Sequence, residues 1–161
     1  MASTPHGVPM NHDQAMDLAL AAGAEAMARG DWPTGSVIVL DGQVIGTGQN
    51  RQNTLNDVTV HAETDALRNA FKKLGRTNLD GATLFTSMEP CPMCAEAMRM
   101  AKVSRLVLGL RHADLKRTDL GTYSIEAYCR MLDWPLEIVT GVRHAECFAL
   151  RKRWGKDKVA K

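Results

Sequence analysis

The chain lacks a long apolar run, a targeting leader, a decisive excess of either charge and a dense set of cysteines, and each absence removes a class of protein. Its most apolar helical stretch, Leu18 to Ala28, is rich in small residues and carries Glu25, with Asp13 and Asp17 just before it. No segment therefore resembles the run of about 20 apolar residues that spans a membrane. The N-terminus shows neither the basic nor the apolar region of a secretory signal, which makes the reducing cytoplasm the expected compartment. Twenty Lys and Arg against 18 Asp and Glu leave a net charge of +2, too little to argue by itself for a nucleic-acid partner. The one basic concentration is the end, where Arg151, Lys152, Arg153, Lys156, Lys158 and Lys161 face only Asp157. Such a run is usually a solvated terminus. Four cysteines could form two disulfides, but that economy belongs to small secreted proteins. Cys129 and Cys147 fall at apolar positions of predicted helices and read as buried thiols.

What is present is one globular domain's worth of residues. The 161 residues are 45% apolar and 24% charged, enough for one well-buried core and too few for two ordinary ones. Residues 1–12 hold two prolines and no periodicity and read as a leader; 13–154 read as the domain and 155–161 as a basic tail. Ala, Met and Leu from Asp13 to Arg29, stopped by Gly30, predict a helix. Ser36–Leu40 and Gln43–Gly46 predict strands turning at Asp41-Gly42. A helical face made by Ala62, Ala66, Leu67, Ala70, Phe71 and Leu74 ends at Gly75. Ala82–Thr86 predicts a strand, Pro92 opens a helix and Leu106–Leu108 is a buried strand. A helix through Ile125, Tyr128, Cys129 and Leu132 then leads to a strand at Leu136–Thr140, and a last helix covers His144–Trp154. A helix between the last two strands makes them parallel. The expected fold is a three-layer α/β/α structure on a mixed five-stranded sheet.

Two short motifs carry the chemistry: His61-Ala62-Glu63 and Pro90-Cys91-Pro92-Met93-Cys94. A lone CxxC is weak, but HxE upstream of PCxxC is the arrangement of zinc deaminases. His61, Cys91 and Cys94 supply three ligands for one Zn2+ per chain and leave the fourth tetrahedral position to water, as catalytic sites do. Glu63 is then the proton carrier and not a ligand. Each motif stands at a predicted helix start, where the positive end of the helix favours thiolate. Two competing readings keep the zinc without the catalysis. In one, Cys129, Cys147 or another His closes a structural site; in the other, the zinc stabilises an RNA-binding module and Glu63 is dispensable. Neither explains Glu63 or the strand-to-helix setting of the cysteines.

With these motifs the chain resembles the cytidine-deaminase-like superfamily over residues 13–154. Pro33-Thr34-Gly35, Gly48-Gln49-Asn50 and Glu146-Cys147 add to the likeness. The parallel last strand is similar to the branch that holds guanine, cytosine and tRNA adenosine deaminases. The resemblance implies His61, Cys91 and Cys94 as ligands, Glu63 as proton shuttle, Asn50 as a substrate contact and the Ala62 backbone N–H as a donor to the base. It also implies a homodimer. Residues 56–63 and 86–94 are most similar to guanine deaminases, so the expected substrate is a small heterocyclic amine, guanine-like first, with cytosine or a tRNA adenosine as alternatives. Arg111 to Gly121 departs from that pattern, although this region and the C-terminus often close the pocket in such enzymes, and the segment or the tail is expected to supply a closing contact. Outside the resemblance, Asp114 is a candidate ring contact or a helix cap, and Trp154 a stacking surface or packing. His112 has only its place near Asp114 to recommend it, and His6, His12 and His144 read as surface residues.

Overall fold

The computed structural model describes residues 9–156. Most of the expected leader and the tail beyond Lys156, with His6, Lys158 and Lys161, fall outside them. Helix α1, His12–Arg29, starts on a capping box in which Asn11 and Gln14 exchange side-chain-to-backbone bonds, and it stops at Gly30 in the left-handed region. Strands β1, Gly35–Leu40, and β2, Gln43–Gln49, form a hairpin. Its Asp41-Gly42 turn has both φ values positive, at 51° and 75°, as two-residue hairpins require. The chain continues through α2 (Ala62–Leu74), β3 (Thr83–Met88), α3 (Pro92–Met100) and β4 (Arg105–Leu110). After a short 3-10 turn at Ala113–Leu115 come α4 (Ile125–Met131), β5 (Glu137–Thr140) and α5 (His144–Trp154).

The five strands lie in the order β2-β1-β3-β4-β5. β1 is antiparallel to β2 and to β3, while β3, β4 and β5 run parallel. Alternation along the strands divides the core into two layers. Ile38, Leu84, Leu106 and Leu108 join residues of α2, α3 and α4; Val37, Phe85 and Val107 join residues of α1 and α5. Cys129 is buried in the first layer and Cys147 in the second. Among the described residues no helix is long and apolar enough to cross a membrane.

The first four strands outrun the sequence expectation, and the extensions of β2 and β3 bear on the site. β2 continues past Gly46 to Gln49; the glycines that suggest a break are there because α2 lies almost on the strand. A Cβ on Gly48 would sit 2.1 Å from the Ala62 carbonyl oxygen and 2.2 Å from the Ala66 nitrogen. β3 continues to Met88, which delivers the chain to Pro90 and the cysteines at the C-terminal edge of the sheet, where open α/β sheets bind ligands.

Asp31, fully buried after α1, anchors the 51–60 connection. Its carboxylate accepts from the Asn53 and Thr54 backbone nitrogens at 2.9 Å each, from Thr54 Oγ1 at 2.7 Å and from Arg29 Nε at 2.8 Å. Burial pushes its pKa up, but the bonds from Thr54, Arg29 and Asn53 outweigh it and hold the carboxyl below its ordinary value. A carboxyl lowered by folding contributes stability above its unfolded value of about 4, and the contribution is lost as pH falls through the lower folded value. Asp31→Asn should lower unfolding stability at neutral pH by about 1–3 kcal/mol. Urea melts of the two proteins should converge as the pH is taken below that range.

Candidate metal centre and cavity

α2 and α3 start at nearly the same place. His61 is the N-cap of α2 and Cys91 the N-cap of α3, with Pro92 at the first helical position. Thr64, three residues into α2, fastens the turn: its hydroxyl oxygen accepts from the His61 backbone nitrogen at 3.0 Å and its proton goes to the Thr59 carbonyl at 2.6 Å. His61 Nδ1 lies 3.5 Å from Cys91 Sγ and 3.6 Å from Cys94 Sγ. Tetrahedral zinc with bonds of about 2.3 Å to sulfur and 2.0–2.1 Å to nitrogen separates N from S by about 3.6 Å. The three donor atoms all fall within 4.8 Å of one another. His61, Cys91 and Cys94 are thus positioned to hold a zinc ion. Among the described residues Cys129 and Cys147 are not in the group; they sit in the two core layers, so neither closes a structural site.

The thiolate favoured at Cys91 suits a cation. Cys91 is pulled down to about 4, first by its hydrogen bond with Cys94 and also by His61, against the effect of burial. Cys94 is pushed up by its bond with Cys91 and by burial. The hydrogen bond with Cys91 likewise raises His61. Glu63, 3% exposed in the first turn of α2, is raised chiefly by burial. Its Oε1 accepts from Thr86 Oγ1 at 3.2 Å and its Oε2 lies 3.5 Å from Cys94 Sγ.

A cavity of about 230 Å³ opens over this centre, lined by Trp32, Thr34, Asn50, Gln52, His61, Ala62, Glu63, Met88, Glu89, Cys91, His112, Arg117 and Arg151. The structure therefore brings His61, Glu63, Cys91, Asn50 and Ala62 to one space, with Cys94 buried behind them. Asn50 directly follows β2; its amide oxygen accepts from the Gln52 nitrogen at 3.0 Å, which leaves the NH2 end for a ligand. Ala62 is the first residue of α2, where a backbone N–H has no partner within the helix.

Asp114 and Trp154 are not in the lining. The Asp114 carboxylate accepts from the Arg111 backbone nitrogen at 2.8 Å and pairs with His144 Nε2 at 3.1 Å. Trp154 packs behind the wall against Trp32, with ring centroids 5.6 Å apart. His144 thus has a partner, as does His12, whose ring meets Phe85 edge-on at 5.6 Å. Trp32, Gln52 and Glu89 are lining residues that the sequence did not single out for the cavity; His112 and Arg117 come from the 111–121 segment, and Arg151 from the basic end, the two places from which a closing contact is expected. Arg151 is 5% exposed, so the basic end is not wholly solvated. Glu89 is buried beneath the cysteine motif; its carboxylate accepts from the His112 nitrogen at 3.0 Å and the Ile125 nitrogen at 2.9 Å. Only its place beside Pro90-Cys91 could have marked it.

The family model for the cytidine and deoxycytidylate deaminase zinc-binding region matches residues 9–110. A tRNA-specific adenosine deaminase of Agrobacterium fabrum is 47% identical over 94 residues, 58% of this chain and 62% of that protein. A guanine deaminase of Bacillus subtilis is 42% identical over 106 residues, 65% of this chain and 68% of that one. Among solved structures, one from a study of A-to-I editing by tRNA:A34 deaminases superposes with a TM-score of 0.73 at 35% identity, covering 84% of this chain and 97% of that one.

Elemental analysis of the purified protein should find about one zinc per chain, the stoichiometry of a single three-ligand site. Cys91→Ser and Cys94→Ser should each lose most of it, and full retention in either would reject the ligand set.

Proposed function

The chain belongs to the cytidine and deoxycytidylate deaminase family of zinc-dependent hydrolases, and we propose that it removes the exocyclic amine of a free, guanine-like heterocycle. The observation that carries this reading is the size of the space above the metal ligands. At about 230 Å³ the cavity is smaller than the roughly 300–1,000 Å³ that drug-sized ligands occupy, and it suits a single ring system better than a nucleoside. In this reading the enzyme works in the cytosol as a homodimer. Exposed Leu55 and Val58 in the 51–60 connection and Met93 in the cysteine motif are apolar surface that a second copy would cover.

A zinc ion held by His61, Cys91 and Cys94 would lower the pKa of water to about 7 and so supply a nucleophile at neutral pH. Glu63 does the proton work. It takes a proton from the attacking water, gives it to the ring nitrogen beside the reacting carbon, and delivers one to the amine as the C–N bond breaks. The balance is one water consumed, one carbonyl formed and one ammonia released. A carboxyl raised by burial is suited to both directions of transfer, since an acid–base group works best with a pKa near the working pH. Thr86 keeps that carboxyl aimed. The Asn50 amide and the Ala62 N–H can hold the ring's polar edge, the kind of buried group on which discrimination between related bases depends.

Cytosine is the pyrimidine alternative for the same space. The tRNA adenosine reading is favoured by the identity to the Agrobacterium protein and by Lys116 and Lys152 around a neighbouring cavity that shares Arg151. Phosphate contacts of that kind would give binding that weakens steeply with salt.

Ammonia release across guanine, cytosine, adenine, their nucleosides and amino-triazines should be fastest with a free base. Deamination of a tRNA anticodon stem with none of any free base would overturn the proposal. Glu63→Gln should keep its zinc and lose at least about 100-fold in kcat, the lower range for removing a general acid–base. Near-normal turnover in that variant would reject the mechanism.

A further inference from the structure

We propose that Arg29, at the end of α1, is a positioning residue that presets Asn50 for the ring and so sets the enzyme's affinity for its substrate. The inference rests on the deaminase reading, in which the Asn50 amide meets the ring's polar edge. It adds what places that amide. Arg29 stands outside the cavity lining and acts through a segment that belongs to it.

Three successive residues, 29–31, grip the chain on both sides of that amide. The Arg29 fork reaches three acceptors: Nε donates to Asp31 Oδ2 at 2.8 Å, Nη1 to Gln49 Oε1 at 2.8 Å and Nη2 to the Asn50 carbonyl at 2.9 Å. The Gly30 carbonyl accepts from Asn53 Nδ2 at 2.9 Å, and Asp31 accepts from the Asn53 and Thr54 backbone nitrogens. Gln49 is tied again from α1, since its Nε2 donates to Glu25. Its backbone nitrogen donates to Asp65 Oδ2 of α2 at 2.9 Å. The chain leaving β2 is thus seated against two helices.

Inside this grip Asn50 has one group left to offer. Its backbone nitrogen donates to the Thr34 carbonyl at 3.1 Å, its carbonyl accepts from Arg29, and its side-chain oxygen accepts from the Gln52 nitrogen. That last bond closes an Asx turn, which fixes the amide plane only while the backbone around it stays put. Gln52, the other end of the turn, lines the cavity too. An ion pair with Asp31 would need only one edge of the guanidinium. The two Nη contacts go instead to the residues that lead into the turn, and a planar head with five donors reaches all three acceptors at once. A preset amide avoids the loss of freedom that a swinging one meets on binding. Such a contact holds substrate and transition state alike, so weakening it raises KM and leaves kcat.

Ammonia release by the unaltered enzyme with guanine, cytosine, adenine and a tRNA anticodon stem identifies the substrate on which KM and kcat are read. Arg29→Lys keeps a charge beside Asp31 but cannot span three acceptors. It should raise KM about tenfold, with zinc content and kcat within about twofold of normal. In an Asn50→Ala background, where KM is already raised, the same change should add less than about threefold, because both residues act through one contact. Amide hydrogen exchange reads the grip without substrate. The Asn50 and Gln52 N–H groups should exchange at least about tenfold faster in Arg29→Lys, while those of β3 keep their rates. Gln49→Ala removes one of the three acceptors, should move both readouts the same way, and serves if Arg29→Lys fails to fold. Loss of zinc and kcat along with the rise in KM would mean a structural role and overturn the proposal. So would an unchanged KM, unchanged exchange, or a full tenfold effect that persists without Asn50. Any of these with ammonia released from a free base leaves the deaminase reading standing. The KM effect and faster exchange with the tRNA stem as the sole substrate would support the proposal and overturn the free-base reading. No ammonia from any of the four overturns both.

Discussion

The meeting of two helix N-termini over the edge of the sheet is the constraint on which the rest of the site depends. β1 and β3 are neighbours, so the helices beside them start close together, and their first residues supply His61, Cys91 and Cys94. The helices' positive ends favour the thiolate charge that a metal needs. Contact at Gly48, where no side chain would fit, seats α2 on β2. A shift of α2 along that strand would carry His61 away from the two sulfurs and Glu63 away from Thr86 together.

Behind the ligands stands a set of buried polar groups, and each is paired with a function in view. Thr86 lies within a strand that supplies Leu84, Phe85 and Met88 to the core, yet its hydroxyl aims the proton carrier. Asp31 and Glu89 do for loops what Thr86 does for a side chain. The first gathers residues 53 and 54 and so places Gln52; the second gathers residues 112 and 125. Buried carboxylates are costly without partners, and each of these has several. That satisfaction makes the cavity walls firm.

The metal group was legible in the sequence because its spacing is local: CxxC across one helical turn, HxE across another. Element order was legible for the same kind of reason, since periods of two and 3.6 residues are written into the apolar pattern. Trp32 and Gln52 were not, and for His112, Arg117 and Arg151 only the segment could be named, because they reach the cavity from loops and a helix whose placement depends on distant packing. Arg151 shows the limit well. It sits in a basic run that reads as solvated, yet the turn of α5 sends it inward while Lys152 and Arg153 stay outside. Asp114 stood out as an acid in a polar loop, and the structure commits it to the Arg111 backbone and His144. Trp154 takes the packing role that the sequence also allowed, against the Trp32 whose ring reaches the cavity.

Glu89 has an evolutionary corollary. One carboxylate grips both ends of a stretch, at His112 and at Ile125, and the stretch between them carries Arg117 into the cavity wall. Insertions, deletions and exchanges between those two anchor points would alter what the cavity accepts without disturbing the β3–α3 junction that presents the cysteines. The arrangement resembles an interchangeable cassette on a fixed mount. It offers a route by which the same hydrolytic chemistry could be redirected to new rings through changes in about a dozen residues between the anchors.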